Sequence, residues 1–263
     1  MLELFWLSML LGAVAGLLAG LFGLGGGVVI VPALVWMFTW QQFSPQLIMI
    51  MAVATSLAAI IPTALSAAIT HHCLGSIDWK CVFRLSPGIL LGAAIGAIVA
   101  DLIDAELLKI FFITYLLFVG LRMAMPLGIN EGNKNNNHRV DYLAGGGIGF
   151  LSSILGIGGG TLTVPYLVGR QVIMKRAVAV SSVCGLPIAI SGTITYALLG
   201  TGKQSLPDWS LGYVCLPALA GVVVCSVLTA PVGAKLANKL PAKKLKRYFS
   251  LVIFVIALKM LLA

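Results

Sequence analysis

Two short stretches carry residues whose types and spacing suit chemistry. Residues 20–34 read GLFGLGGGVVIVPAL, and residues 152–167 read SSILGIGGGTLTVPYL. The first holds Gly25, Gly26 and Gly27, with Pro32 five residues on; the second holds Gly158, Gly159 and Gly160, with Pro165 at the same distance. Glycine lets a chain turn sharply and bares its N–H groups. A helix that starts just past such a turn aims its free N–H groups and positive dipole end at whatever lies ahead. The result is a site for a small anion that needs no buried lysine.

Hydroxyls lie nearby in sequence. Thr55 and Ser56 lie one position out of step with Ser181 and Ser182, with Ser56 opposite Ser181, and both pairs precede a proline, Pro62 or Pro187. Such hydroxyls either donate to an anion or bond a carbonyl in the preceding turn. With Pro32 and Pro165, the two prolines are expected helix breaks that free backbone groups. Thr161 and Thr163 follow the second glycine cluster, where the first has Val28 and Ile30. The two half-sites are therefore chemically unequal. His71 and His72 stand where the second copy has Tyr196 and Ala197. Histidine carries a proton near neutral pH, which suits a gate or coupling role; a polar interfacial cap is the alternative. Arg84 and Arg176 lie near segment starts, either drawing anions to a mouth or anchoring a cytoplasmic face.

The rest of the chain must position these residues inside a membrane. Its 263 residues are 60% hydrophobic and 10% charged, with a mean hydropathy of +1.06. Soluble domains carry about 25% charged residues. Leu85–Ala100, Ile110–Leu121 and Leu211–Val232 are nearly free of charge, and a spanning helix needs about 20 such residues. The net charge of +9 fits cytoplasmic loops rather than nucleic acid, since no basic stripe alternates with aromatics. The five cysteines form no CxxC pair and read as small buried hydrophobes. The first residues, MLELFWLSMLLGAVAG, lack a basic start and read as the first structural segment. With three histidines and no acid deep in an apolar run, an enzyme's nucleophile and base, a cofactor site and a metal cluster are all missing.

The chain is also two copies of one unit. Residues 52–70 align with 177–195, 78–88 with 208–218, and 108–123 with 245–260. The polar stretch GINEGNKNNNHR, 128–139, reads as a linker between repeats at 1–127 and 140–263. Each repeat has four apolar segments, about 4–38, 46–71, 82–100 and 107–124, then 142–168, 173–199, 211–232 and 244–262. The loop 101–109 carries three acids, whereas its counterpart 235–247 carries six basic residues. Placing the halves in opposite orientation puts 14 of the 17 Lys and Arg inside, as the positive-inside rule favours. The expected fold is an all-α polytopic membrane protein of two inverted repeats, each a broken re-entrant hairpin plus three transmembrane helices, with both termini outside. Residues 142–168 are too few to cross twice. Creases at that depth must line a cavity rather than face lipid.

Paired interrupted helices in inverted repeats mark secondary transporters. The doubled motif GLGGGVVIVP and GIGGGTLTVP, with AVATS and AVSS-type starts to the next helix, resembles the TauE/SafE family over nearly the whole chain. That resemblance implies a permease of the bacterial or archaeal plasma membrane that moves sulfite, organosulfonates or similar anions. Carried over, it assigns binding to the two glycine triplets and to Thr55, Ser56, Ser181 and Ser182, with Pro32 and Pro165 as motif positions. Partners are then the bilayer and a small anionic solute; a second copy of the chain, as a homodimer, is a separate expectation, and nucleic acid is not one. A cation or transition-metal permease using broken-helix carbonyls with His71 and His72 is the alternative.

Overall fold

The computed structural model describes residues 2–22, 26–124, 138–203 and 206–237, together with residues 254, 257, 258 and 260 in helical conformation. Gly25, most of the 128–139 linker and most of the segment at 244–262 lie outside the described residues. The protein is helical. Helix α1 spans Leu2–Phe22, α2 Gly27–Trp40, α3 Pro45–Cys73, α4 Trp79–Leu102 and α5 Ala105–Ala124. After the linker come α6 His138–Leu155, α7 Gly160–Gly169, α8 Met174–Gly200 and α9 Leu216–Ala237. Among the described residues, α3, α4, α8 and α9 are long and apolar enough to cross a membrane.

Local chemistry sets these boundaries. Asp78 caps α4, its Oδ1 accepting from Lys80 N at 3.1 Å and Cys81 N at 3.4 Å, which satisfies two donors the first turn would leave bare. Pro45 opens α3 at a position where no N–H is needed. The ends of α2 and α7 share one design. Gln42 and Gln171 take positive φ, 57° and 64°, and Phe43 N–H reaches back to Phe38 O as Val172 N–H does to Leu167 O. Both are Schellman-type stops, with glutamine in the place glycine usually takes.

One element departs from the sequence expectation. The third segment of the second half was expected to begin near 211 as helix. Instead β1 (Ser210–Leu211) and β2 (Val214–Cys215) form a small antiparallel hairpin, and α9 starts at Leu216. Gly212, at φ 55°, makes the reversal; a side chain there would strike the Ala197 carbonyl.

Glycine ladders bring the helices together. Gly12, Gly16 and Gly20 of α1 face Val222, Ser226 and Ala230 of α9. Both numbers rise by four, so the two helices run the same way. Gly88, Gly92 and Gly96 of α4 face Tyr142, Gly146 and Phe150 of α6, again in parallel. Small residues at this spacing let backbones approach closely, which drives helix association in lipid. The central pair runs oppositely: Gly185 of α8 faces Ala64 of α3, and Gly192 faces Leu57. In α3 the most apolar stretch is 83% buried and in α8 67%, against 39% in α4 and 33% in α9. Helices α3 and α8 thus form the axis, with α4 and α9 outside them. Phe83, Leu91 and Leu228 are each about two-thirds exposed or more. Apolar surface on that scale suits lipid, and the exposed Trp36 and Trp40, stacked at the end of α2, suit its interface.

Candidate functional site

Gly26 and Gly159 start α2 and α7 from the left-handed region, at φ 76° and 72°. Only glycine takes this conformation without a Cβ clash. The two helices therefore begin at the glycines, as the motif spacing predicts. The four prolines behave otherwise. Pro32, Pro62, Pro165 and Pro187 each sit inside an uninterrupted helix. They remove one ladder bond apiece, but they are not breaks; the glycines are.

The creases touch. Gly27 packs on the turn at Gly156 and Ile157, and a Cβ on Gly27 would lie 2.8 Å from Ile157 Cα. Gly158 and Gly160 are buried with it, and the Gly158 carbonyl faces Gly185 of α8. Among the described residues, no backbone carbonyl takes the N–H groups of Gly158, Gly159, Gly160 or Thr161. Beyond the crease, Leu162 N–H and Thr163 N–H both return to Gly159 O. The bare donors are those that the start of an α-helix leaves free.

The hydroxyls singled out in the sequence are buried, and most hold structure. Ser56 Oγ donates to Gly156 O at 2.8 Å, strapping α3 to the second crease. Thr55 Oγ1 accepts from Cys215 N at 3.0 Å, tying β2 to α3. Ser181 and Ser182 donate to Val178 O in the turn before them. Thr161 pairs with the hydroxyl of Tyr115 on α5. Three hydroxyls around the second crease, one of them the Thr163 that follows the glycine triplet, have no partner among the described residues. Ser152 and Ser153 at the end of α6 and Thr163 on α7 are fully buried, and no hydrogen-bond partner meets them among the described residues. Ser152 Oγ and Thr163 Oγ1 each lie 3.5 Å from where a Cβ on Gly159 would sit. The serine doublet just before the second glycine triplet was the sequence signal for Ser152 and Ser153.

The remaining candidates lie elsewhere. His71 is buried with both ring nitrogens unpartnered among the described residues. His72 is exposed and meets Trp79 edge-on at 5.7 Å. Fifteen residues of α3 separate His71 from Ser56, about 22 Å of helix, so neither histidine joins the creases. Among the described residues, no cluster of ligating side chains could hold a metal. Arg84 is half-buried on α4, and Arg176 is exposed at the start of α8. Arg170 is engaged instead: its Nη1 lies 3.1 Å from Asp141 Oδ1. Tyr166 also donates to that oxygen, at 2.7 Å. Cys184 and Cys215 are buried as the composition suggested, but Cys73 is exposed.

A second polar cluster sits at the far end of α4. Asp101 Oδ1 meets Lys203 Nζ at 2.9 Å and also accepts from the hydroxyl of Tyr213. The Lys203 ammonium lies 5.0 Å from the centre of the Tyr213 ring. These three residues help line a cavity of about 410 Å³ with Ser44, Gln46 and Ile50. The sequence offered only the acidity of the 101–109 loop as a hint.

A helical bundle with a lipid-facing apolar surface, buried creases and bare helix ends at its axis belongs to the class of multi-pass membrane transporters. The comparisons carry this further. The family described as "Sulfite exporter TauE/SafE" matches residues 8–260, and the chain belongs to that family. A "Probable membrane transporter protein" of Haemophilus influenzae is 37% identical over 97% of both chains. One of Methanocaldococcus jannaschii is 29% identical over 97% of this chain and 95% of its own, and YunE of Bacillus subtilis is 30% identical over 74% and 79%. No solved structure gives a significant match.

Proposed function

We propose that the protein is a secondary transporter, in the exporting direction, for a small sulfur-containing anion such as sulfite or an organosulfonate. One observation carries this reading. Helix α7 starts from a left-handed glycine at a buried crease, with bare N–H groups and with the unpartnered hydroxyls of Ser152 and Thr163 beside it. Every one of these groups can donate and none is charged, so the crease suits an oxyanion. The first crease, at Gly26 and Gly27, closes the other side through the Gly27 contact. Ser56 straps the central helix α3 to the second crease through Gly156 O.

The halves, 1–127 and 140–263, are inverted-topology repeats joined by the 128–139 linker. The opposed run of α3 and α8 supports this. So does the parallel pairing of α1 with α9 and α4 with α6, which each half makes with the other. Thr55 bonds Cys215 and Thr63 bonds Ser226, so α3 runs with α9 and hence with α1; α2 then returns the chain as a re-entrant hairpin. The protein resides in a bacterial or archaeal plasma membrane with both termini outside, and alternating access comes from rocking of the halves about the creases.

The test is uptake of radiolabelled sulfite or sulfoacetate by liposomes holding purified protein. Saturable uptake that disappears in Gly159→Leu supports the site. Uptake that this variant leaves intact assigns the solute elsewhere, and no uptake of either anion removes the substrate class.

A further inference from the structure

We propose that the β1–β2 hairpin, residues 210–215, is a gate that closes the cavity at the α3-start, α4-end side of the bundle and so shuts one end of the solute path. This rests on the alternating-access reading above and says which piece moves. The hairpin belongs to the second half and is latched to the first. Asp101 comes from the end of α4; Lys203 follows α8, and Tyr213 sits in the hairpin's turn. Asp101 binds both Lys203 and Tyr213. Lys203 in turn meets the Tyr213 hydroxyl, so the three close a triangle in the lining of the cavity.

A second tether lies beneath the first. Cys215 N–H bonds Thr55 Oγ1, and the next residue, Ser56, bonds Gly156 O at the second crease. The path from the latch to the proposed solute site therefore runs through one turn of α3. Lifting the hairpin releases Thr55 and joins the cavity to the crease. The latch is built to be broken. Half of Lys203 reaches solvent, and an ion pair so exposed contributes little. The hairpin has two-residue strands, too short to be stable alone.

Native Cys215 is 1% exposed and reports on the hairpin directly. The experiment uses the full chain in liposomes, with Cys73, Cys81, Cys184 and Cys225 replaced by serine or alanine, and follows the rate of maleimide labelling. Asp101→Asn and Lys203→Gln should each speed labelling of Cys215 by about fivefold, the change an open–closed balance makes when ~1 kcal/mol of latch is lost. The charge swap Asp101→Lys with Lys203→Asp should restore slow labelling. Tyr213→Phe removes one hydroxyl while keeping the ring, and covers the case in which a charge variant fails to fold. A parallel protein keeping only Cys184, buried on α8, controls for general loosening. Unchanged labelling of Cys215, or equal gains at Cys215 and Cys184, overturns the gate. No solute enters this readout. If liposomes take up neither sulfite nor sulfoacetate while Cys215 responds as stated, the anion reading fails and the gate stands.

Discussion

Gly159 sits at φ 72° with Ile188 pressed against the place of its missing Cβ. Gly159→Ala should cost about 1–2 kcal/mol in backbone strain alone, lowering Tm by roughly 2–8 °C. Thermal unfolding of the purified variant measures this, and an unchanged Tm would show that the crease relaxes freely. Ser152 and Thr163 make the opposite prediction. A buried hydroxyl with no partner costs about 1–3 kcal/mol. Ser152→Ala and Thr163→Val should therefore hold or raise the Tm of the empty protein while weakening sulfite binding severalfold. Higher Tm with unaltered affinity would make them packing residues only. The glycines were legible because a left-handed residue is a local demand that glycine answers. The hydroxyl roles were not, because Ser56 finds its partner 100 residues away and nothing near position 56 announces it.

Among the elements, the glycine ladders make the sharpest claims. A side chain on Gly92 would run into the Gly146 carbonyl, whereas Gly147 has open space around it. Gly92→Leu should separate α4 from α6 and yield little folded protein. Gly147→Ala should fold normally and gain about 0.5–1 kcal/mol from reduced backbone freedom. Equal behaviour in size-exclusion chromatography would show that α4 and α6 do not depend on close approach. Helix existence was readable from apolar length, and both creases from Gly-Gly-Gly. The β1–β2 hairpin was not, since SLGYVC continues the apolar run of α9 and only Gly212 marks a turn.

At the scale of the whole molecule, charge holds one end of the bundle. The Tyr213 hydroxyl bond, with Asp101 adding to it, keeps Lys203 above the ordinary lysine value of 10.5. A cation so raised keeps its contribution in full below its unfolded value and loses it only as pH climbs past the folded one. The latch should hold through neutral pH, with Cys215 labelling flat between about pH 6 and about pH 9. A steep rise inside that window would mean that another group controls the hairpin.

The cross-pairing of helices has a consequence for how the chain is made. Helix α1 is synthesised long before α9, yet its glycine-lined face fits α9, more than 190 residues later. Helix α4 likewise waits for α6. Until the second half is inserted, both present bare backbone grooves to the bilayer and to any protease or chaperone that reads them. Truncation anywhere before α9 should leave a product that the cell clears, and separate polypeptides of the two halves should each survive only when made together.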